Sequence, residues 1–389
     1  MLILNYTKLY SVSYNYLMKP PNTETRTLLH KSFFQPVTEN GDGTEKLKNG
    51  KTSVLTFMDL FAGAGGFTKG FTQAGFVPVF AVEIDQYASE TYKANFGSHC
   101  HTEDINRIET FPKADVIIGG PPCQGFSNLG CRIPNDPRNQ LWRHFIRAVK
   151  DSRPLVFVVE NVPPLLSSEE GQELIRQSRN LDYIVEGRVL NSADYGVAQI
   201  RKRTIILGSR IGIVKFPEPT HVDPKKRDKD SKNLINWTTV RDSIGDLPLQ
   251  PTNTSLHLGR NPTPMSQERY RHIPPGGNRW NLPLHLMSEC WKRKTKGGTD
   301  LFGRLQWDEP CVTIRTEFFK PEKGRYLHPE AHRPITHREA ARIQGFPDDF
   351  IFVGSRIEIA KQIGNAVLVK LAEAIAKAVL EMFHEWCNK

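Results

Sequence analysis

Four short apolar runs constrain this chain more than any other feature. They are "VLTFMDL" (54–60), "VPVFAVEID" (77–85), "ADVIIGG" (114–120) and "PLVFVVEN" (154–161). Helix-like stretches such as "QYASETYKANF" and "QLWRHFIRAVK" lie between them. Buried strands alternating with helices predict an α/β fold: a Rossmann-like, doubly wound, mostly parallel sheet. Ligands in that architecture bind beyond the carboxyl ends of the strands. Each of the four runs ends there in a chemically useful group: Asp59, Glu83 with Asp85, the loop bearing Cys123, and Glu160.

The rest of the chain divides around this pattern. Residues 1–52 are polar and turn-rich, an N-terminal extension expected to be partly disordered, with Met18 as an alternative start. The sheet domain is expected over 53–212, where "RTIILGS" is the last clear strand. Over 213–335 periodicity weakens and Pro, Gly, Arg, Lys and Trp accumulate, which predicts a smaller, irregular lobe. From 336 to 389 helical patterning returns. Thr336 with Glu339 reads as a capping box, and Val367, Leu368, Leu371, Ile375, Ala378, Val379, Met382 and Trp386 share one helical face.

Composition narrows the function classes. With 52 basic and 42 acidic residues the formal charge is +10, which favours a polyanionic partner without naming one. No apolar run reaches the roughly 18 residues of a membrane-spanning helix. The six cysteines are scattered, with no CxxC pair, so neither a metal site nor a disulfide framework is expected. Reduced thiols and the absence of a leader-like start point to the cytoplasm.

The sharpest local signal is "GGPPCQGFSNLG" (119–130). Prolines stiffen the backbone and glycines permit the turn, so Cys123 is presented at a strand end as a nucleophile would be. A bare cysteine is more often buried and inert; this loop reverses that balance. In "DLFAGAGGF" (59–67) a strand runs into a glycine turn that lets a ligand approach the backbone. The third glycine of a dinucleotide fingerprint is replaced by Thr68, which disfavours a nicotinamide or flavin. A nucleoside ligand without a pyrophosphate remains open. Glu83 at the next strand end suits ribose hydroxyls, and Asp104–Ile105 suit an adenine, although isolated strand-end acids are more often simply solvated. Glu160 ends a hydrophobic strand, where a carboxylate is costly unless solvated, paired or used. In "QIRKR" (199–203), Gln199, Arg201 and Arg203 alternate and share one face of an extended segment, as two arginines gripping a phosphate or a polarised carbonyl would.

Taken together and in this order, the motifs resemble the cytosine-C5 DNA methyltransferases of bacterial restriction–modification type. The matching stretches are "DLFAGAGGF", "EID", "DI", "GGPPCQGFS", "ENV", "QIRKR", "REAARIQGFPDDF" and "QIGNAV". They span most of the chain from Phe57 onward, thinning over 215–300. The resemblance implies an S-adenosylmethionine-dependent methyltransferase fold, with the irregular lobe as target-recognition region. It implies S-adenosylmethionine bound by Phe61, Gly63, Gly65, Gly66, Glu83, Ile84, Asp104, Ile105, Pro121, Leu141, Asn365 and Ala366. It makes Cys123, Glu160, Arg201 and Arg203 catalytic. Double-stranded DNA would meet Gln124, Ser127 and Gln199, together with the basic patches Arg269, Arg271, Lys292, Arg293 and Lys294. The family usually has proline after "GNAV", where this chain has Leu368; a small change before the last helix is expected.

The implied reaction begins with addition of the Cys123 thiolate to cytosine C6, which makes C5 nucleophilic toward the sulfonium methyl. Glu160 protonates or hydrogen-bonds N3 and the exocyclic amine, and Arg203 with Arg201 stabilises O2. Attack perpendicular to the ring requires the base to be flipped out of the duplex. A tRNA cytosine methyltransferase, a catalytically silent DNA-binding relative and a dinucleotide oxidoreductase are the competing readings. The complete set of reactive groups and Thr68 weigh against the last two. The resemblance further implies a monomer near the nucleoid, paired with a restriction endonuclease whose target it protects.

Overall fold

In the computed structural model the described residues are 54–122, 140–252, 254, 256–293 and 296–388. The expected extension 1–52 and the residues Cys123, Gln124, Ser127 and Lys294 lie outside them.

The core is a seven-stranded sheet. Its strands are β1 (Thr56–Leu60), β2 (Val77–Glu83), β3 (Cys100–Thr102), β4 (Val116–Gly119), β5 (Val156–Asn161), β6 (Ile184–Asn191) and β7 (Lys202–Ser209), in the spatial order β3-β2-β1-β4-β5-β7-β6. The first five strands pair in parallel, whereas β7 runs antiparallel between β5 and β6. Strand order reverses between β1 and β4, which opens a crevice at their carboxyl ends.

Helices cover both faces: α1 (Gly66–Gln73), α2 (Gln86–Phe96), α3 (Trp142–Ser152) and α4 (Glu169–Arg179). Alternation along the strands divides the core. Phe57, Ile118, Val158 and Leu207 face one cluster, and Met58, Ile117, Phe157 and Ile206 face the other. α3 and α4 close the second face through Phe145, Val149 and Leu174.

The irregular lobe contains a two-stranded sheet, β8 (His221–Val222) with β9 (Ile235–Asn236), and three short helices: α5 (Val240–Ile244), α6 (Pro264–Arg271) and α7 (Glu289–Lys292). It has little regular structure to satisfy its backbone. Arg304 does that work instead, donating to the carbonyls of Tyr270, Ile273, His328 and Ala331 while only 2% exposed.

The chain then returns through α8 (His337–Ile343), α9 (Arg356–Asn365) and α10 (Val369–Cys387). Thr336 caps α8 as anticipated: its hydroxyl accepts from the Glu339 N–H and Glu339 accepts from the Thr336 N–H. α10 lies along α1 so closely that a Cβ on Gly70 would sit 2.4 Å from Ala372 Cβ. Leu368, at the start of α10, has φ −70°, the value a proline would impose, so the helix begins without distortion.

Two sequence expectations change. β3 and β6 went unrecognised because they are the two edge strands, partly exposed and with no apolar run. A boundary at 335/336 cuts through one hydrophobic cluster: Val240, Ile244, Cys311 and Ile314 of the lobe pack with Ala340, Ile343, Ile363 and Ala366. Among the described residues no helix is long and apolar enough to cross a membrane.

Candidate active site

A cleft of ≈490 Å³ opens at the carboxyl ends of β1, β2, β4 and β5. Ten of the residues expected to hold a cofactor fall into two groups around it. Phe61, Gly63, Glu83, Ile84, Asp104 and Ile105 follow β1, β2 and β3, and Pro121, Leu141, Asn365 and Ala366 close the other side.

The turn after β1 is built from left-handed residues: Phe61 at φ 60°, Gly63 at 55° and Gly65 at 88°. A Cβ on Gly63 would enter open space, so this glycine serves the backbone conformation and leaves the approach to the main chain clear. Its N–H donates to Glu83 Oε2 at 2.8 Å, and the Asp85 N–H donates to Oε1 at 2.8 Å. Each carboxylate oxygen keeps a further lone pair. Burial pushes the Glu83 carboxyl up from its ordinary range, against the pull of those N–H groups.

Gly65 and Gly66 were expected to touch the cofactor, and the structure gives them a different task. A Cβ on Gly65 would lie 2.3 Å from the Phe96 ring, and one on Gly66 would lie 2.3 Å from the Val367 carbonyl. They make room for α2 and for the returning C-terminal segment, and neither lines the cleft.

The second half of the site is assembled where β5 meets β7. Glu160 Oε1 and Arg203 Nε form an ion pair at 2.8 Å, the two side chains only 12% and 14% exposed. The pair lines the same cleft. Gly120 sits against it, with Glu160 Oε2 3.3 Å from where a Cβ would be. Asn161 Nδ2 donates to the Pro121 carbonyl at 2.8 Å. The root of the cysteine loop is therefore pinned at Pro121, two residues before Cys123, with Gly120 packed against Glu160.

The "QIRKR" alternation holds, but it faces inward. Gln199, expected to meet DNA, is fully buried: its Nε2 donates to Gln344 and its Oε1 accepts from the Ile314 N–H. It cannot reach a duplex. Arg201, expected to act on the substrate with Arg203, is 5% exposed, and its Nη1 donates to the carbonyls of Ile314 and Gly364. Burial, and then the neighbouring Arg203, lower it to about 9. Arg201 still lines the cleft beside Arg203 and lies within electrostatic reach of Glu160, but of the three only Arg203 makes the ion pair with it.

Of the basic patches, Arg271 and Lys292 are exposed and paired within their own helices to Glu268 and Glu289. Arg293 is exposed beside the Glu289 carbonyl. Arg269 is half-buried, donating to the Leu286 carbonyl with its guanidinium over Trp291, and so braces the lobe.

Sequence reading missed several lining residues. Glu358, Lys361 and Gln362 share one face of α9 with the expected Asn365 along the cleft; their spacing of three to four was the available signal. It also missed a buried polar chain beneath the turn. Thr68 Oγ1 donates to Asp59 at 2.6 Å, and Tyr92 Oη lies 3.1 Å from both Thr68 Oγ1 and His99 Nε2.

The C-5 cytosine-specific DNA methylase model matches residues 55–381. The chain belongs to that family. It is 38% identical over 348 residues to the type II methyltransferase M1.HphI of Haemophilus parahaemolyticus, covering 84% of this chain and 87% of that protein. It is 34% identical to M.NgoFVII of Neisseria gonorrhoeae, covering 87% and 89%. A prophage-encoded DNA modification methyltransferase structure from E. coli superposes with TM-score 0.63 at 28% identity, over 85% of this chain and 99% of that one. The Dnmt2 methyltransferase structure of S. pombe, at 18% identity and TM-score 0.56, shares the fold. The methylase is thus a DNA (cytosine-5-)-methyltransferase.

Proposed function

We propose that the chain transfers a methyl group from S-adenosylmethionine to C5 of a cytosine flipped out of a specific short duplex sequence. The observation that carries this reading is the juxtaposition in one cleft of the Phe61–Gly63–Glu83 cradle and the Glu160–Arg203 pair. The cradle fits the cofactor on its own terms. Gly63 leaves the backbone open, Glu83 retains acceptor capacity for two ribose hydroxyls, and the volume suits a nucleoside joined to an amino acid. Asp104 and Ile105 flank the adenine side, and Asn365 and Ala366 the methionyl side. When bound, the cofactor supplies an electrophilic methyl.

The chain's own groups prepare the base. Cys123, at the end of the pinned 119–122 segment, adds as thiolate to C6. Glu160 accepts from the exocyclic amine and delivers a proton to N3, which disperses the negative charge that develops, while Arg203 holds both the Glu160 side chain and O2; once C5 carries the methyl, loss of the C5 proton and of the Cys123 thiolate from C6 restores the ring. Stacking in a duplex blocks the perpendicular approach, so the base is everted at a cost of about a few kcal/mol. Phosphate contacts from a chain of net charge +10 offset that cost. The relatives' names associate such enzymes with type II systems; by that analogy the product protects DNA from a partner endonuclease, and the enzyme works as a monomer.

The test is transfer of radiolabelled methyl from S-adenosylmethionine to unmethylated genomic DNA and to bulk tRNA, followed by bisulfite sequencing. Label should appear on DNA at one short motif. It should vanish with Cys123→Ser and fall by about 10²–10⁴ with Glu160→Gln. Label on tRNA alone, or undiminished in Cys123→Ser, would refute the reading.

A further inference from the structure

Arg201 lines the cleft, but the chemistry above gives no step to it or to Gln199, and their buried side chains hold three distant segments together. Cys311–Ile314 of the lobe runs parallel to Ala198–Arg201, bonded through Ile200 N–H to the Cys311 carbonyl and Cys311 N–H to the Ala198 carbonyl, both at 2.8 Å. Ile314 is then clamped on both backbone groups. Its N–H donates to Gln199 Oε1 at 3.0 Å, and its carbonyl accepts from Arg201 Nη1 at 2.9 Å. Both clamps continue to the end of α9. Arg201 Nη1 also donates to the Gly364 carbonyl at 3.1 Å. Gln199 Nε2 donates to Gln344 Oε1, and Gln344 Nε2 donates to the Ile363 carbonyl.

The next two residues after Gly364 are Asn365 and Ala366, which line the cofactor side of the cleft. The fit there is tight. A Cβ on Gly364 would come within 2.5 Å of the Arg315 and Thr316 backbone. Apolar side chains would fill this space at less desolvation cost. Directional bonds do what apolar contacts cannot, and fix where one backbone lies relative to another.

We propose that Gln199 and Arg201 are positioning residues. They set the place of Asn365 and Ala366 in the cleft against the lobe and β7, and so govern cofactor affinity while taking no part in the chemical step. The inference rests on the cofactor reading given above. It differs from the expectation that Arg201 acts on the base, and the two separate experimentally. An arginine acting on the reacting ring lowers kcat; one acting through Gly364 raises the KM for cofactor and leaves kcat at saturation.

The experiment uses the full chain. Binding of S-adenosylhomocysteine is measured calorimetrically, and kcat and KM for S-adenosylmethionine are measured on unmethylated genomic DNA. Arg201→Met should raise both the dissociation constant and KM by about tenfold, with kcat within about threefold of wild type. Arg201→Lys, whose ammonium reaches one of the two carbonyls, should fall between, and it carries the test if Arg201→Met does not fold. A fall in kcat with unchanged S-adenosylhomocysteine affinity would overturn the proposal in favour of a catalytic arginine. A lowered Tm with both constants unchanged would overturn it in favour of a purely structural one. Failure of the wild-type chain to bind S-adenosylhomocysteine would instead refute the cofactor reading.

Discussion

The buried Asp59 makes a pH dependence that can be worked through from its surroundings. It is the penultimate residue of β1, 1% exposed, under the turn that lines the cleft. Burial is the dominant influence and the nearby Glu83 adds to it; together they outweigh the Thr68 hydrogen bond and push the carboxyl from 3.8 up to about 7. In the unfolded chain the group ionises at its ordinary value. Between those two pH values the unfolded state has released a proton that the folded state still holds, so rising pH favours unfolding. The penalty is absent below the unfolded value and complete above the folded one. A gap of about three pH units corresponds to roughly 4 kcal/mol when complete.

Asp59→Asn removes the ionisation and keeps an amide oxygen to accept from Thr68. The stability gap between variant and wild type should widen in the variant's favour by about 2–3 kcal/mol from about pH 5 to about pH 8. Urea unfolding of the two full-length proteins at both pH values, followed by tryptophan fluorescence, measures it. Titrations of groups that are not coupled to Asp59 cancel in the difference. A gap that is flat with pH, or that narrows, would show that Asp59 is already ionised at neutral pH and that the burial argument is wrong.

Two further outcomes follow from close contacts and hydrogen-bond stoichiometry. Gly70→Ala should destabilise the fold by about 1–3 kcal/mol despite alanine's better helix propensity, because its Cβ meets the Ala372 and Glu373 backbone; a thermal melt shows this as a lowered Tm. Glu83→Gln keeps the shape but offers one oxygen to the two N–H donors of Gly63 and Asp85, so S-adenosylhomocysteine should bind about tenfold more weakly by calorimetry.

Much of this was legible in the residue order. The buried strands β1, β2, β4 and β5, the turn after β1, the capping box at Thr336 and the amphipathic α10 are local patterns, and each appears where periodicity or spacing placed it. β6 was not legible, because an edge strand with exposed residues carries no apolar run. The sequence also put Gln199, Arg201 and Arg203 on one face, correctly, but alternation cannot say which way a face points. A segment from more than a hundred residues away, Cys311–Ile314, takes the hydrogen bonds of the first two, while Arg203 is left to pair with Glu160. The glycines divide the same way. Their number near Asp59 marks a tight turn, yet only tertiary contact decides that Gly63 opens toward the cleft while Gly65 and Gly66 yield to Phe96 and Val367. The sequence by itself determined the family, the sheet and the set of reactive groups, because these depend on local periodicity and on motif order. Which of those groups face a ligand and which face another part of the chain was decided only by tertiary structure, because that depends on what long-range packing buries.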